Sequence, residues 1–309
     1  MTEQTVAEPI FERVALVGIG HIGSSLARAV KREAGLIGHL AISDLDAGAR
    51  AKAEELGLAD SVHEEPADAV TDADLVVLCT PIGTYRAISK ALAPHLKPGC
   101  VISDVGSVKR APIRDMQPNL PENVHFVPGH PIAGTEHSGP ESGFAELFEG
   151  RYWLLTPPEG TDPDAVARLG RLYTSIGALV EEMDADYHDK VLAVTSHVPH
   201  LIAYTIVGTA VDLEGHLQND VIRFSAGGFR DFTRIAGSNP IMWRDIFLNN
   251  REAVLEILQR FTEDLTALQR AIRWGEGQTL QDLFTRTRAI RRGVIEARQE
   301  VPPSADKRG

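Results

Sequence analysis

Only two cysteines occur in 309 residues, Cys79 and Cys100, far apart and without a C-x-x-C pair or a neighbouring histidine. That scarcity excludes a disulfide framework and a zinc site, leaves no metal to expect, and fits a reducing cytoplasm. Basic residues are in deficit: 31 Lys and Arg against 43 Asp and Glu give a formal net charge of -12. Such a surface repels polyanions, so nucleic acid or anionic lipid would need a local basic patch. The one candidate, Arg286, Arg288, Arg291 and Arg292, lies in a helical pattern where a solvated face is the plainer reading, so no nucleic-acid partner is expected. A long apolar run is also missing. The window Val198 to Val211 falls short of the roughly 20 residues that cross a bilayer and contains His200. The N-terminal MTEQTVAEPIFER carries acidic residues and no apolar core of a signal peptide. No membrane association is expected, and no internal repeat or low-complexity segment is visible.

What is present is hydrophobic content of 43%, enough for two ordinary cores. From Arg13 onward, short β-branched runs alternate with longer amphipathic stretches, the pattern of βαβ units. Strands are expected near Arg13 to Val17, His39 to Ser43, Leu75 to Cys79, Cys100 to Asp104, His125 to Val127, Tyr152 to Thr156 and Leu179 to Met183. Helices are expected over Ile22 to Arg32, Ala47 to Leu56, Tyr85 to Leu92 and Pro163 to Ile176. After Met183 the strand signals stop, and to Arg298 the apolar positions recur at helical spacing, with breaks around Gly227, Gly228, Pro240 and Gly275. The fold class expected is an α/β N-terminal Rossmann domain with a mostly parallel sheet, residues 1–183, plus an all-α C-terminal domain, residues 184–309. The apolar excess of the helical part suggests a homodimer.

The strongest local signal is Gly18-Ile19-Gly20-His21-Ile22-Gly23, which follows a strand and opens a helix. The first glycine permits the tight turn, the second lets backbone approach a pyrophosphate, and the third lets helix pack on strand, with the helix N-terminus facing the phosphates. Asp44 follows 21 residues after Gly23, at the end of the second strand, where a carboxylate accepts hydrogen bonds from ribose hydroxyls. A 2′-phosphate would meet Asp44 and Asp46, with no basic residue before Arg50, so NAD is favoured over NADP. Thr80, Pro81 and Ser107, just past strand ends, complete the candidate cofactor contacts. The bland alternative is a glycine-rich turn in a Rossmann-like domain with another ligand.

Substrate meets cofactor beyond the carboxyl ends of such strands, and two polar loops are expected there: Asp104 to Lys109 and Gly129 to Glu136. Dehydrogenation of an alcohol needs a base for the hydroxyl proton, and a neutral imidazole serves near pH 7, so His130 is the candidate, with Ser107 as its orienter. A structural hydrogen bond to backbone is the competing role for His130. In the helical part, His197 and His200 are three apart on one face, but no acidic third ligand for a metal is evident. Arg234 suits a substrate carboxylate, or else an internal ion pair with Asp231 or Asp245.

Five motifs occur in order: VALVGIGHIGSSLARA at the glycine turn, SDVGSVK at Ser103 to Lys109, GHPIAGTEHSG at Gly129 to Gly139, TSHVPH at Thr195 to His200, and GGFRDFTRIAGSNPIMW at Gly227 to Trp243. Over almost its whole length the chain resembles the prephenate and arogenate (cyclohexadienyl) dehydrogenases. The resemblance implies an NAD-dependent oxidative decarboxylation of tyrosine biosynthesis, with prephenate or arogenate as substrate. It implies that His130 meets the ring hydroxyl, Ser107 orients it and Arg234 clamps a substrate carboxylate, while Ser196, His197, His200 and Glu136 line the pocket. Gly227, Arg230, Asp231 and Trp243, in the last motif, join the candidate substrate contacts. Some relatives carry an ACT or chorismate mutase domain; the helical pattern here ends near Arg298, so neither is expected, and feedback by tyrosine would act at the active site. A β-hydroxyacid dehydrogenase, an imine reductase and a non-catalytic NAD-sensing module are the rival readings.

Overall fold

Runs that are apolar on both faces fold as a parallel sheet only when other elements cover both sides. In the computed structural model, which describes residues 8–212, 220 and 223–296, six strands pair: β1 (Phe11–Val17), β2 (Ile37–Ser43), β3 (Ser61–His63), β4 (Leu75–Leu78), β5 (Val101–Asp104) and β6 (His125–Phe126). Their order is β3-β2-β1-β4-β5-β6 with every pairing parallel. The order reverses between β1 and β4, and past the carboxyl ends of strands at such a switch point sheets of this kind hold their ligands. Leu16, Leu75, Val77 and Val101 pack on one face, and Ala15, Val17, Val76, Leu78 and Ile102 on the other. At roughly 1.5–3 kcal/mol for each large buried aliphatic side chain, against about 0–1 kcal/mol for a surface ion pair, this two-sided core is what holds the strand ends in place.

A second sheet follows: β7 (Gly129–Pro131), β8 (Tyr152–Leu155) and β9 (Leu179–Glu182), with β7 antiparallel to β8 and β8 parallel to β9. The expected strands are all present, most ending a residue early. Two more were not expected, β3 and β7. The first is a short polar Ser-Val-His, and the second contains Gly and Pro, which strands disfavour except at edges. His130 therefore sits on an edge strand opposite Leu154 rather than in a loop. A Cβ on Gly129 would lie 2.9 Å from Trp153 Nε1 and 3.0 Å from the Asp104 carbonyl, so only glycine lets β7 approach the end of β5 this closely.

Beyond β9 all described elements are helical. Ala185–Leu192, a π-helical turn Ala193–His197 and Val198–Val211 run on as one helix, followed by Gly227–Thr233, a 3₁₀ turn Arg234–Gly237 and Pro240–Asn249. Gly227 and Pro240 open helices rather than merely interrupting them; Pro240 occupies a first-turn position where its missing N–H costs nothing. The apolar window that looked too short to span a bilayer is part of a longer helix, and Ala185–Ala210 is long and apolar enough by length and composition. Its buried His188, Asp189 and His197 are hydrogen-bonded within the protein.

By contacts the chain divides into two compact units, Met1–Arg251 and Glu252–Gly309. The change from mixed to helical structure comes after β9, whereas this division comes later. The second unit is built on the long helices Arg251–Trp274 and Gly277–Glu296, separated at Gly275 with φ +69°. The expected helical residues 213–219, 221–222 and 297–298 lie outside the described residues, as do the N-terminal 1–7 and the tail to Gly309.

Candidate active site

The turn after β1 is shaped by what glycine permits. Gly18 has φ +95°, and a Cβ there would sit 2.8 Å from Thr80 Cγ2 and 3.0 Å from Cys79 backbone. On Gly23 a Cβ would fall 2.5 Å from the Gly18 carbonyl, so the helix His21–Arg32 can cross the strand end only with glycine. Gly20 differs: a Cβ would meet nothing within 4 Å. That open space lies at the N-cap of a 12-residue helix, where unpaired N–H groups and the helix dipole favour an anion. Asp44 Oδ2 accepts from Ile19 N at 2.9 Å, tying the carboxylate at the end of β2 to the turn. Arg50, the basic residue nearest in sequence, donates to the Asp44 and Leu45 carbonyls and pairs with Glu64 at 2.8 Å, so its charge is already answered. The residues present fit a dinucleotide with an unphosphorylated ribose. His21 is held by Ser142 Oγ at 3.0 Å, Ile22 packs against the core, Thr80 Oγ1 meets Thr84 Oγ1 at 2.9 Å, and Pro81 accepts from Thr84.

Past β5 and β7 a second set of side chains converges. Lys109 is fully buried, with Nζ 2.5 Å from both Asp104 Oδ2 and the Gly129 carbonyl. Burial pulls its ammonium down while Asp104 pulls it up. Asp104 also accepts from Gly106 N at 2.8 Å and Gly129 N at 3.3 Å. This ion pair clamps the Ser107 loop and the His130 strand to one another. Leaving either charge without its partner would cost about 3–5 kcal/mol.

His130 is buried, and its Nδ1 lies 2.9 Å from His188 Nε2. His188 Nδ1 lies 2.8 Å from Asp189 Oδ1. The Asp189 carboxylate accepts in addition from Lys109 N at 2.7 Å and Arg110 N at 3.0 Å. Asn250 bridges the Asp189 carbonyl at 2.8 Å and His197 Nδ1 at 3.0 Å. Burial, then the neighbouring His188, Lys109 and His197, hold the His130 imidazole well below its ordinary value. Burial likewise lowers His188 against the upward pull of Asp189, and brings His197 down to about 4. Neutral imidazoles with lone pairs available are what a hydroxyl donor requires.

The outer part of the set comes from the helical segments. His200 Nδ1 donates to the Ser196 carbonyl at 2.9 Å, and its ring stacks on Trp243 with centroids 3.6 Å apart. The His197 ring meets the same indole at 6.0 Å, edge on. Arg234 pairs with Glu136 at 2.9 Å, not with Asp231 or Asp245; Asp245 instead holds Arg244. Arg230 and Asp231 are exposed and Gly227 is half-buried. Among the described residues no group of three His, Cys, Asp or Glu side chains is placed to hold a metal.

The sequence reading gave no role to His188, Asp189, Asn250 or Asp104, although Asp104 opens one of the two polar loops it expected at the reactive edge. A signal existed for two of them. His188 and Leu192, and Asp189 and Ala193, share the buried stripe of one helix at i, i+4 spacing, so a histidine and an aspartate stand where apolar residues belong. Asn250 carries no such mark and matters only through partners distant in sequence, whereas Asp104 acts through the nearby Lys109 and Gly106 as well as through Gly129.

Two family profiles match the chain: "Prephenate dehydrogenase, nucleotide-binding domain" over residues 26–182 and "Prephenate dehydrogenase, dimerization domain" over residues 184–286. A cyclohexadienyl dehydrogenase of Zymomonas mobilis is 41% identical over 282 residues, covering 91% of this chain and 96% of that protein. Among solved structures, prephenate dehydrogenase from Aquifex aeolicus in complex with hydroxyphenyl propionate and NAD+ superposes with a TM-score of 0.85 at 35% identity, covering 92% of this chain and 98% of the other. Synechocystis arogenate dehydrogenase superposes at 0.77 with 28% identity, covering 91% and 99%.

Proposed function

The chain belongs to the prephenate dehydrogenase family, and from that premise we propose how its residues carry out an NAD-dependent oxidative decarboxylation of prephenate or arogenate in tyrosine biosynthesis. The observation that carries the assignment of roles is the buried, neutral His130 at the end of a hydrogen-bonded line, beside the crevice where a dinucleotide fits. Bound NAD supplies the hydride acceptor. A hydride leaves the ring carbon that bears the hydroxyl, the bond to the ring carboxylate breaks, and its electron pair completes the aromatic ring as carbon dioxide departs. The hydroxyl proton is conserved overall, so His130 need only accept its hydrogen bond while positive charge builds on that oxygen. Ser107 lies in the loop clamped beside His130 and orients the reacting groups.

Arg234 receives a substrate carboxylate by exchanging its partner Glu136 for the ligand; both are partly exposed, so the exchange costs little. His197, His200, Ser196 and Trp243 form the wall against which the ring and its side chain rest, with Gly227, Arg230 and Asp231 at its rim. Residues 1–183 hold the cofactor in this reading, and 184–309 complete the substrate site and make a homodimer. The exposed Leu255, Leu265, Ile272, Trp274, Phe284 and Ile290 of the long helices support that second role. The two free thiols, Cys79 and Cys100, suit the reducing cytoplasm.

The test is NADH formation by the purified protein with NAD and, in parallel, prephenate or arogenate. Turnover with either supports the reading, and the ratio of kcat/KM values assigns the substrate. Demonstrable NAD binding with no turnover on either would remove it.

A further inference from the structure

His130 is not held by backbone, and its Nδ1 points away from solvent into a second buried ring. The direction of the protons along this line follows from its far end. An ionised carboxylate only accepts, so His188 Nδ1 carries a hydrogen and donates it to Asp189 Oδ1. A neutral His188 then has its lone pair on Nε2, and His130 Nδ1 must be the donor to it. The remaining nitrogen of His130, Nε2, is left with the lone pair.

We propose that His188 and Asp189 are positioning residues that fix the tautomer and orientation of His130, so that its Nε2 and no other atom accepts the hydrogen bond of the substrate hydroxyl. The proposal rests on the role given to His130 above. Asp189 has its own anchors: two backbone N–H groups at the start of the helix Arg110–Met116 fix the carboxylate, and Asn250 fixes its backbone carbonyl. One aspartate thus ties the Ser107 loop, the helix bearing His188 and the His130 ring into a single geometry. As positive charge develops at the hydroxyl, the line of dipoles ending in the Asp189 charge stabilises it without any proton leaving His130 Nδ1. A purely structural pair would be served as well by any well-packed side chains. A relay needs an acceptor at the position of His188 Nε2.

The experiment compares His188→Leu with His188→Gln in the NAD-loaded enzyme, since the glutamine side chain can place an acceptor oxygen near that position and leucine cannot. The expected result is a loss in kcat of about 100-fold for H188L, an unchanged KM, and recovery of tenfold or more in H188Q. Smaller recovery, or H188L within twofold of the wild type, overturns the proposal. A second readout needs neither turnover nor a folded variant: ¹⁵N-histidine spectra of the wild-type protein with NAD, where His130 is expected to be protonated on Nδ1 and bare on Nε2. The opposite tautomer overturns the proposal. Because this signal is independent of catalysis, silence with both substrates would count against the assigned reaction alone.

Discussion

The glycine turn after β1 and the histidine cluster beyond β7 lie in one compact unit but are made in opposite ways. The turn is a contiguous stretch whose shape depends on the absence of side chains at Gly18 and Gly23 and whose backbone lies open at Gly20. The cluster has little local component: His130 comes from an edge strand, His188 and His197 from one long helix and Asn250 from the end of another, and hydrogen bonds span 58 and 53 residues. Backbone sites are specified by conformation, and side-chain sites by packing. The turn should therefore be sensitive to an added methyl group, whereas the cluster should tolerate neither the loss of one ring nor its protonation.

The largest effect should come from His130→Asn, which removes the acceptor from the cluster while leaving the turn intact. We expect kcat to fall by about 10²- to 10⁴-fold with NAD affinity and KM near wild type in steady-state kinetics. A variant with wild-type kcat would take His130 out of the mechanism.

Acid probes the cluster without mutation. His197 falls to about 4 in the folded protein because burial penalises its charge, against about 6.5 in the unfolded chain. The unfolded state therefore binds the proton first as pH drops. The stability that depends on keeping this ring neutral is full above pH 6.5 and is lost progressively down to pH 4, on the order of 3 kcal/mol. His130 and His188 shift in the same direction and add to it. Denaturant unfolding at pH 7, 5.5 and 4.5 should show the decline; a flat profile would mean these rings are charged in the native state.

Arg234→Ala tests the exposed edge of the cluster. Loss of a charge-assisted contact to a substrate carboxylate should raise KM by about 10- to 100-fold, with a much smaller change in kcat. Because its pair with Glu136 is partly exposed, stability should change by less than about 1 kcal/mol. A kcat defect at constant KM would contradict the clamp.

The smallest changes sharpen the description of the turn. Gly23→Ala forces a methyl group against the Gly18 carbonyl and should cost about 1–3 kcal/mol of stability. Gly20→Ala meets open space and adopts an ordinary φ of -73°, so its melting temperature should match wild type while NAD binding weakens in titration calorimetry. Equal melting losses in both variants would show that Gly20 serves packing rather than ligand approach.

By itself the sequence determined the parallel sheet, the glycine turn with Asp44, and the helical character beyond Met183. Each is written in contiguous residues: β-branched runs, a strand-turn-helix glycine pattern, and apolar spacing near 3.6. His130, Arg234 and Trp243 were legible as candidates because they stand in polar motifs beside expected strand or helix ends. The tertiary structure alone decided that His130 lies on an edge strand, since Gly and Pro hide β7 from any strand pattern. It also decided that Arg234 meets Glu136, 98 residues away, and that His188, Asp189 and Asn250 close around His130 and His197. Hydrogen-bond partners of buried side chains are chosen by which elements pack together, and no local spacing records that choice.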